Sequence, residues 1–160
     1  MMKKITLIFA LYLGSTSCFG QTANLGEPRG FVEKDHSSVT FHKLPQQNNS
    51  TLLEAELARR VSEGNKVVNF GTYIEHNVSV IALGNKKTLA NGDVLTRYGI
   101  QSTGAESINL IFSDFFLSRG TTLYVYNDSK TLYVGAYTSI NNNVSNTIGT
   151  EILNGDKCII

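Results

Sequence analysis

The stretch Leu123-Tyr124-Val125-Tyr126-Asn127-Asp128-Ser129-Lys130-Thr131-Leu132-Tyr133-Val134-Gly135-Ala136-Tyr137 decides the fold class. Leu123 and Val125 alternate with Tyr124 and Tyr126. Past the turn signal Asn127-Asp128-Ser129, Leu132, Val134 and Ala136 alternate with Thr131, Tyr133 and Tyr137. A period of two with β-branched and aromatic enrichment reads as half-buried strands. Asn and Gly tolerate the positive φ that tight hairpins need. Tyr124, Tyr126, Tyr133 and Tyr137 then form an exposed aromatic stripe across two paired strands. Cross-strand stabilisation is its plain reading, and a ligand platform its functional one.

Working outward, Ile108, Leu110 and Phe112 alternate with Asn109, Ile111 and Ser113. Turn signals recur at Asn91-Gly92-Asp93, Ser118-Arg119-Gly120, Asn141-Asn142-Asn143 and Asn154-Gly155-Asp156. Short strands at this spacing predict a mainly β module over residues 65–160, an antiparallel, jelly-roll-like β-sandwich. One short N-terminal helix precedes it, over residues 51–64. Thr51 and Glu54 form a capping box, Leu53, Leu57 and Val61 share a face, and Gly64 stops it. Such a helix is marginal alone and must pack on something. Glu54 and Glu56 lie two apart on different faces, with solvent as their default. Residues 21–50 hold both prolines, Pro28 and Pro45, and few apolar residues. They read as an extended, weakly ordered arm, with a short strand around Val39-Thr40-Phe41.

The N-terminus carries Lys3 and Lys4, the apolar run Ile5 to Leu13, then small residues Gly14 to Ser17. That order is the grammar of a secretory signal peptide over residues 1–20, cut between Gly20 and Gln21. The predicted location is therefore extracellular. A lipoprotein anchored at Cys18 is the rival, but Ser15-Thr16-Ser17 fits a lipid-attachment box poorly. The apolar run falls short of the roughly 20 residues a membrane span needs, and no other segment approaches it. Without the signal, Cys158 is the one remaining thiol, which excludes an internal disulfide and a multi-cysteine zinc site. It reads as a small core residue of a strand. The net charge of +1 argues against a nucleic-acid partner.

A search for chemistry finds little. His36, His42 and His76 show no HExxH or paired Cys/His spacing, so no metal or cofactor is expected. No serine sits in a Gly-flanked nucleophile turn with a histidine base, and no glycine loop has phosphate-cradling spacing. No catalytic residue is assigned, and the chain is not expected to be an enzyme.

Residues from about Val67 to Ile160 resemble the non-catalytic N-terminal pro-region of secreted bacterial lysyl-endopeptidase-like serine proteases. Asn91-Gly92-Asp93-Val94-Leu95-Thr96-Arg97-Tyr98-Gly99-Ile100-Gln101-Ser102 resembles the family's "dG-x-x-W-R-x-x-I-x-S" segment, with Thr96 standing at the family's Trp. Gly104-Ala105-Glu106-Ser107-Ile108-Asn109-Leu110-Ile111-Phe112, with Phe115 and Leu117, resembles "G-A-x-S-I-N-L-x-F…F-x-L". Gly120 to Asn127 resembles "G-a-x-L-y-v-Y-n", and Gly135 to Thr138 with Asn141-Asn142 resembles "G-a-f-T-x-x-N". Gly155-Asp156-Lys157-Cys158-Ile159-Ile160 resembles "G-D-x-v-i-i", which in the family leads into the protease. Phe70-Gly71 fits an "F-G" pair near the start of the region. The resemblance implies a pro- or accessory module that assists folding, secretion or latency of a serine protease catalytic domain, in cis or in trans. That domain is missing from this chain. The alternatives are a stand-alone secreted β-sandwich binding glycan or protein, and a truncated, non-functional remnant.

Overall fold

A computed structural model of the chain describes residues 26–32, 39–64, 67–69 and 71–160. The cleavage pair Gly20 and Gln21, together with Cys18, His36 and Phe70, lies outside them. In chain order the elements are α1 (Arg29–Val32), β1 (Phe41–Lys43), α2 (Asn49–Glu63), α3 (Val80–Leu83), β2 (Asn85–Thr88), β3 (Val94–Arg97), β4 (Gly99–Gln101), β5 (Ser107–Ile108), β6 (Ile111–Phe112), β7 (Leu123–Asn127), β8 (Tyr133–Tyr137), a 3-10 turn (Ser139–Asn141), β9 (Ile148–Gly149), β10 (Leu153–Asn154) and β11 (Lys157–Ile159).

The hairpin β7–β8 forms as its alternation predicts. Its turn is fastened by Asn127, whose Oδ1 accepts from the N–H of Thr131 (2.9 Å) and of Leu132 (3.0 Å). The Asn127 amide nitrogen donates to Thr131 Oγ1 at 2.8 Å. A buried amide with its bonds satisfied in this way fixes the loop rather than destabilising it. The hairpin belongs to a five-stranded sheet of order β1-β4-β11-β7-β8. β11 is antiparallel to both neighbours, with Cys158 opposite Ile100 on one side and Asn127 on the other. β1 joins β4 in parallel, Phe41 opposite Gly99, so the ladder is mixed and not wholly antiparallel as expected. The arm thus contributes an ordered strand, at Phe41–Lys43 rather than at Val39.

A second ribbon runs beside this sheet. β5 pairs with β10 and β6 with β9, both antiparallel. Between them Thr150 closes the gap: its Oγ1 accepts from Leu110 N–H (2.9 Å), and its own N–H donates to Leu110 O (2.8 Å). Ile108, Leu110 and Phe112 face inward as their alternation predicts, while Ile111 stays exposed. Asp114 has φ 50, which shifts the inward phase, so that Phe115 and Leu117 are the next buried pair. The buried residues of the sheet and the ribbon join one core, with Tyr98, Val125, Tyr137 and Cys158 at most 2% exposed. The chain is mainly β, with several small sheets that do not close.

Four expectations need correction. First, Tyr137 does not lie with Tyr133. The ladder matches Val125 to Val134 but Leu123 to Tyr137, a bulge that places one extra residue on β8. A one-residue slip reverses facing, and Tyr137 enters the core. Second, α2 begins at Asn49, not Thr51. Asn48 is its N-cap, accepting from Thr51 N–H at 3.2 Å, so the Thr51–Glu54 capping box gives way to an Asn that caps better. Gly64 ends the helix in the left-handed region as expected. Third, α2 is not the only helix. Residues 71–79 are irregular, and Ser79 caps α3. Fourth, α2 does not bury its apolar face: Leu53, Leu57 and Val61 remain 60%, 50% and 85% exposed.

Gly135 is the residue that lets the bulge form. Its φ is 117, and a Cβ there would sit 2.7 Å from Leu123 O and 3.1 Å from a Tyr124 ring carbon. Urea unfolding of Gly135→Ala should show a loss of about 2 kcal/mol, the scale of a strained backbone site. Gly149→Ala, whose Cβ meets nothing within 4 Å, should stay within about 0.5 kcal/mol of the parent. Burial pushes the Cys158 thiol up to about 12, so the folded thiol is neutral and shielded at neutral pH. In a Cys18→Ser chain it should modify with Ellman's reagent only as fast as the protein unfolds. Rapid modification of the native protein would contradict its place in the core.

Candidate functional site

Two surfaces gather the residues singled out above. The first is the outer face of β7–β8. Tyr126 and Tyr133 are directly paired across the hairpin, and the Tyr124 and Tyr133 rings meet edge to face at 6.1 Å. This face is covered. Phe31, at the end of the α1 turn, sets its ring edge-on against Tyr126 (5.2 Å) and Tyr133 (5.6 Å). Lys130 Nζ donates to Gly30 O at 2.8 Å, and Pro28 is fully buried. Tyr126 is 3% exposed as a result, while Tyr124 and Tyr133 are half-buried. Burial raises the phenol pKa of Tyr124 and Tyr126, so both remain neutral donors. The expected exposed stripe of four tyrosines is therefore Tyr126 and Tyr133 roofed by Phe31, Tyr124 half-buried beside Tyr133, and Tyr137 on the opposite side. The Tyr137 hydroxyl is buried without a hydrogen-bond partner among the described residues.

The second surface is a cleft of about 1070 Å³ between α2, residues 68–69 and 71–80, and the face carrying Tyr98, Ile108 and Ile160. Tyr98 stands at its inner end. His76 Nε2 and Tyr98 Oη are 2.8 Å apart, and the His42 ring stacks on Tyr98 at 4.5 Å and 14°. Two of the three histidines thus converge on one buried phenol, whose pKa burial raises. Sequence reasoning missed this because His42, His76 and Tyr98 come from three distant segments. No group of three or more His, Cys, Asp or Glu among the described residues forms a metal-ligand cluster. No described helix is long and apolar enough to cross a membrane.

The cleft's outer wall is held by ionic contacts. Glu56 accepts from Arg59 Nη2 and Nε at 2.8 and 2.9 Å, and from Asn69 N–H at 3.0 Å. Arg59 also reaches Glu63 and Val67 O, and Asn49 donates to Gly104 O at 2.8 Å. Glu56, expected in solvent, instead ties α2 to the segment that follows it.

No protein-family model, no curated protein and no solved structure matches this chain.

The Arg59 side chain first, then the Asn69 N–H, hold the Glu56 carboxyl at about 2, below its ordinary 4.5. A depressed folded-state value means the tether is fully present above pH 4.5 and is lost as pH falls through about 2. The Asn69 amide resonance should titrate with that midpoint. In Glu56→Gln it should show no such step.

Proposed function

We propose that this chain is a secreted, non-catalytic accessory module of a lysyl-endopeptidase-like serine protease, assisting folding, secretion or latency of a catalytic domain outside these residues. The observation that carries the reading is the order of the resembling segments along the architecture. Residues 91–102 supply β3 and β4, residues 104–112 supply β5 and β6, residues 120–127 supply β7, residues 135–138 the end of β8, and residues 155–160 supply β11. These stretches, with Phe115 and Leu117, carry most of the core, while Val134, Ile148 and Leu153 of the core lie outside them. A jelly-roll-like sandwich belongs to the same reading, supported by one core lying between the main sheet and the β5–β6/β9–β10 ribbon.

Two features support a non-catalytic role. His42 and His76 both lie against Tyr98 and not against a serine, and the remaining thiol is buried. Secretion rests on the basic and apolar order of residues 1–20. A stand-alone glycan binder using the tyrosines as a stacking platform is disfavoured by Phe31, which already occupies that face.

The test is refolding of a denatured lysyl-specific serine protease domain with and without equimolar chain. Recovered activity should change several-fold in the presence of the chain, and the chain alone should leave a lysyl ester intact. Unchanged recovery would overturn the accessory role, and ester hydrolysis by the chain alone would overturn its non-catalytic character.

A further inference from the structure

Each residue of the segment roofing the tyrosine face meets that surface differently. Pro28 is fully buried, whereas Arg29 is exposed. Gly30 is buried, and a Cβ there would come within 2.5 Å of Tyr126 Oη and 3.1 Å of its Cζ. Tyr126 is itself almost wholly enclosed and has little room to yield. Phe31 supplies the ring that meets Tyr126 and Tyr133 edge-on. The Phe31 N–H donates to Pro28 O at 2.9 Å, closing the turn, and Lys130 grips the Gly30 carbonyl. The surface therefore accepts a proline, tolerates any second residue, requires glycine third and an aromatic fourth.

Four residues of α1 cannot hold a helical turn unaided, so the shape of this segment is imposed by the surface it rests on. The surface holds the turn through one ring, one carbonyl and one excluded side chain, and buried aromatic anchors are the contacts on which recognition surfaces rely. We propose that the tyrosine face of β7–β8 is a docking site for a Pro-x-Gly-Phe turn, filled here by the chain's own residues 28–31 and exchangeable with the same turn presented by another polypeptide. A tethered occupant acts at an effective concentration on the order of millimolar, so a free peptide competes only in that range.

The chain contains no tryptophan, so Phe31→Trp in the full chain gives a single reporter. Its emission should be blue-shifted and protected from acrylamide. The peptide Gly-Glu-Pro-Arg-Gly-Phe-Val-Glu, the sequence of residues 26–33, should displace it at roughly millimolar concentration and move the emission to that of solvent-exposed indole. The Arg29→Ala peptide should compete equally well. The Gly30→Ala and Phe31→Ala peptides should be weaker by about tenfold or more, the scale of losing one hot-spot contact. Displacement by none of the peptides, or equal competition by the Gly30→Ala peptide, would overturn the proposal. Should the indole itself fail to seat, a 4-fluorophenylalanine form of the parent peptide reports on the unsubstituted chain. Its fluorine resonance should shift saturably with added protein, and an unchanged resonance would refute exchange.

Discussion

The main sheet depends on a double ladder along β11. Among the described residues, Lys157–Ile159 is the strand hydrogen-bonded to both β4 and β7, so it joins the half carrying β1 to the half carrying the tyrosine hairpin. Beyond it, Ile160 and Tyr98 exchange backbone bonds at 2.9 and 3.0 Å, and Ser102 N–H reaches Asp156 O at 2.8 Å, which extends the zipper at both ends. Cys158 at its centre is fully enclosed. A small, soft side chain suits a strand packed between two neighbours and under a full core. Loss of this strand would leave two edges, each with a row of unpaired amides.

Around that frame the chain is held unevenly. The core is enclosed, while α2 is fastened by polar contacts at its N-terminus, from Asn49 to Gly104 O, and along one side, through Glu56 with Asn69 N–H and Arg59 with Val67 O. Its leucines stay open to the cleft. Ion pairs of this exposure contribute little stability each, so the helix is positioned by geometry more than by burial. Tyr98 carries more weight, because it stacks His42 from the strand beside it and meets His76 from the irregular segment, linking sheet and cleft wall through one ring.

The sequence was most legible where burial is local and periodic. The alternations at Ile108-Leu110-Phe112 and Leu123-Val125 are reproduced residue by residue, as are the Asn127 turn and the Gly64 stop. Misreadings arose where a single residue breaks the period. Gly135 permits a bulge that turns Tyr137 inward, and no propensity at Tyr137 itself announces it. Helix α2 was visible, but its start was misplaced because Asn48 and Thr51 are both good caps, and only the backbone path selects between them. The candidate site was least legible. Phe31 and Tyr126 are far apart in the chain, and a lone aromatic in a polar arm carries no period. Its one local hint is the proline and glycine before it, which signal a turn. The stretches quoted for the resemblance begin at about Val67 and do not reach the arm.

The position of β11 also orders events in time. Both strands it joins, β4 and β7, are translated before it, so the β1–β4 pair and the β7–β8 hairpin have their partners during synthesis while the strand that joins them is still to come. The sheet as a whole must wait for the residues around Cys158 to emerge. A topology of such long-range closure folds slowly and late. Until the closing strand arrives, the half carrying β1 and β4 and the hairpin β7–β8 have no ladder between them.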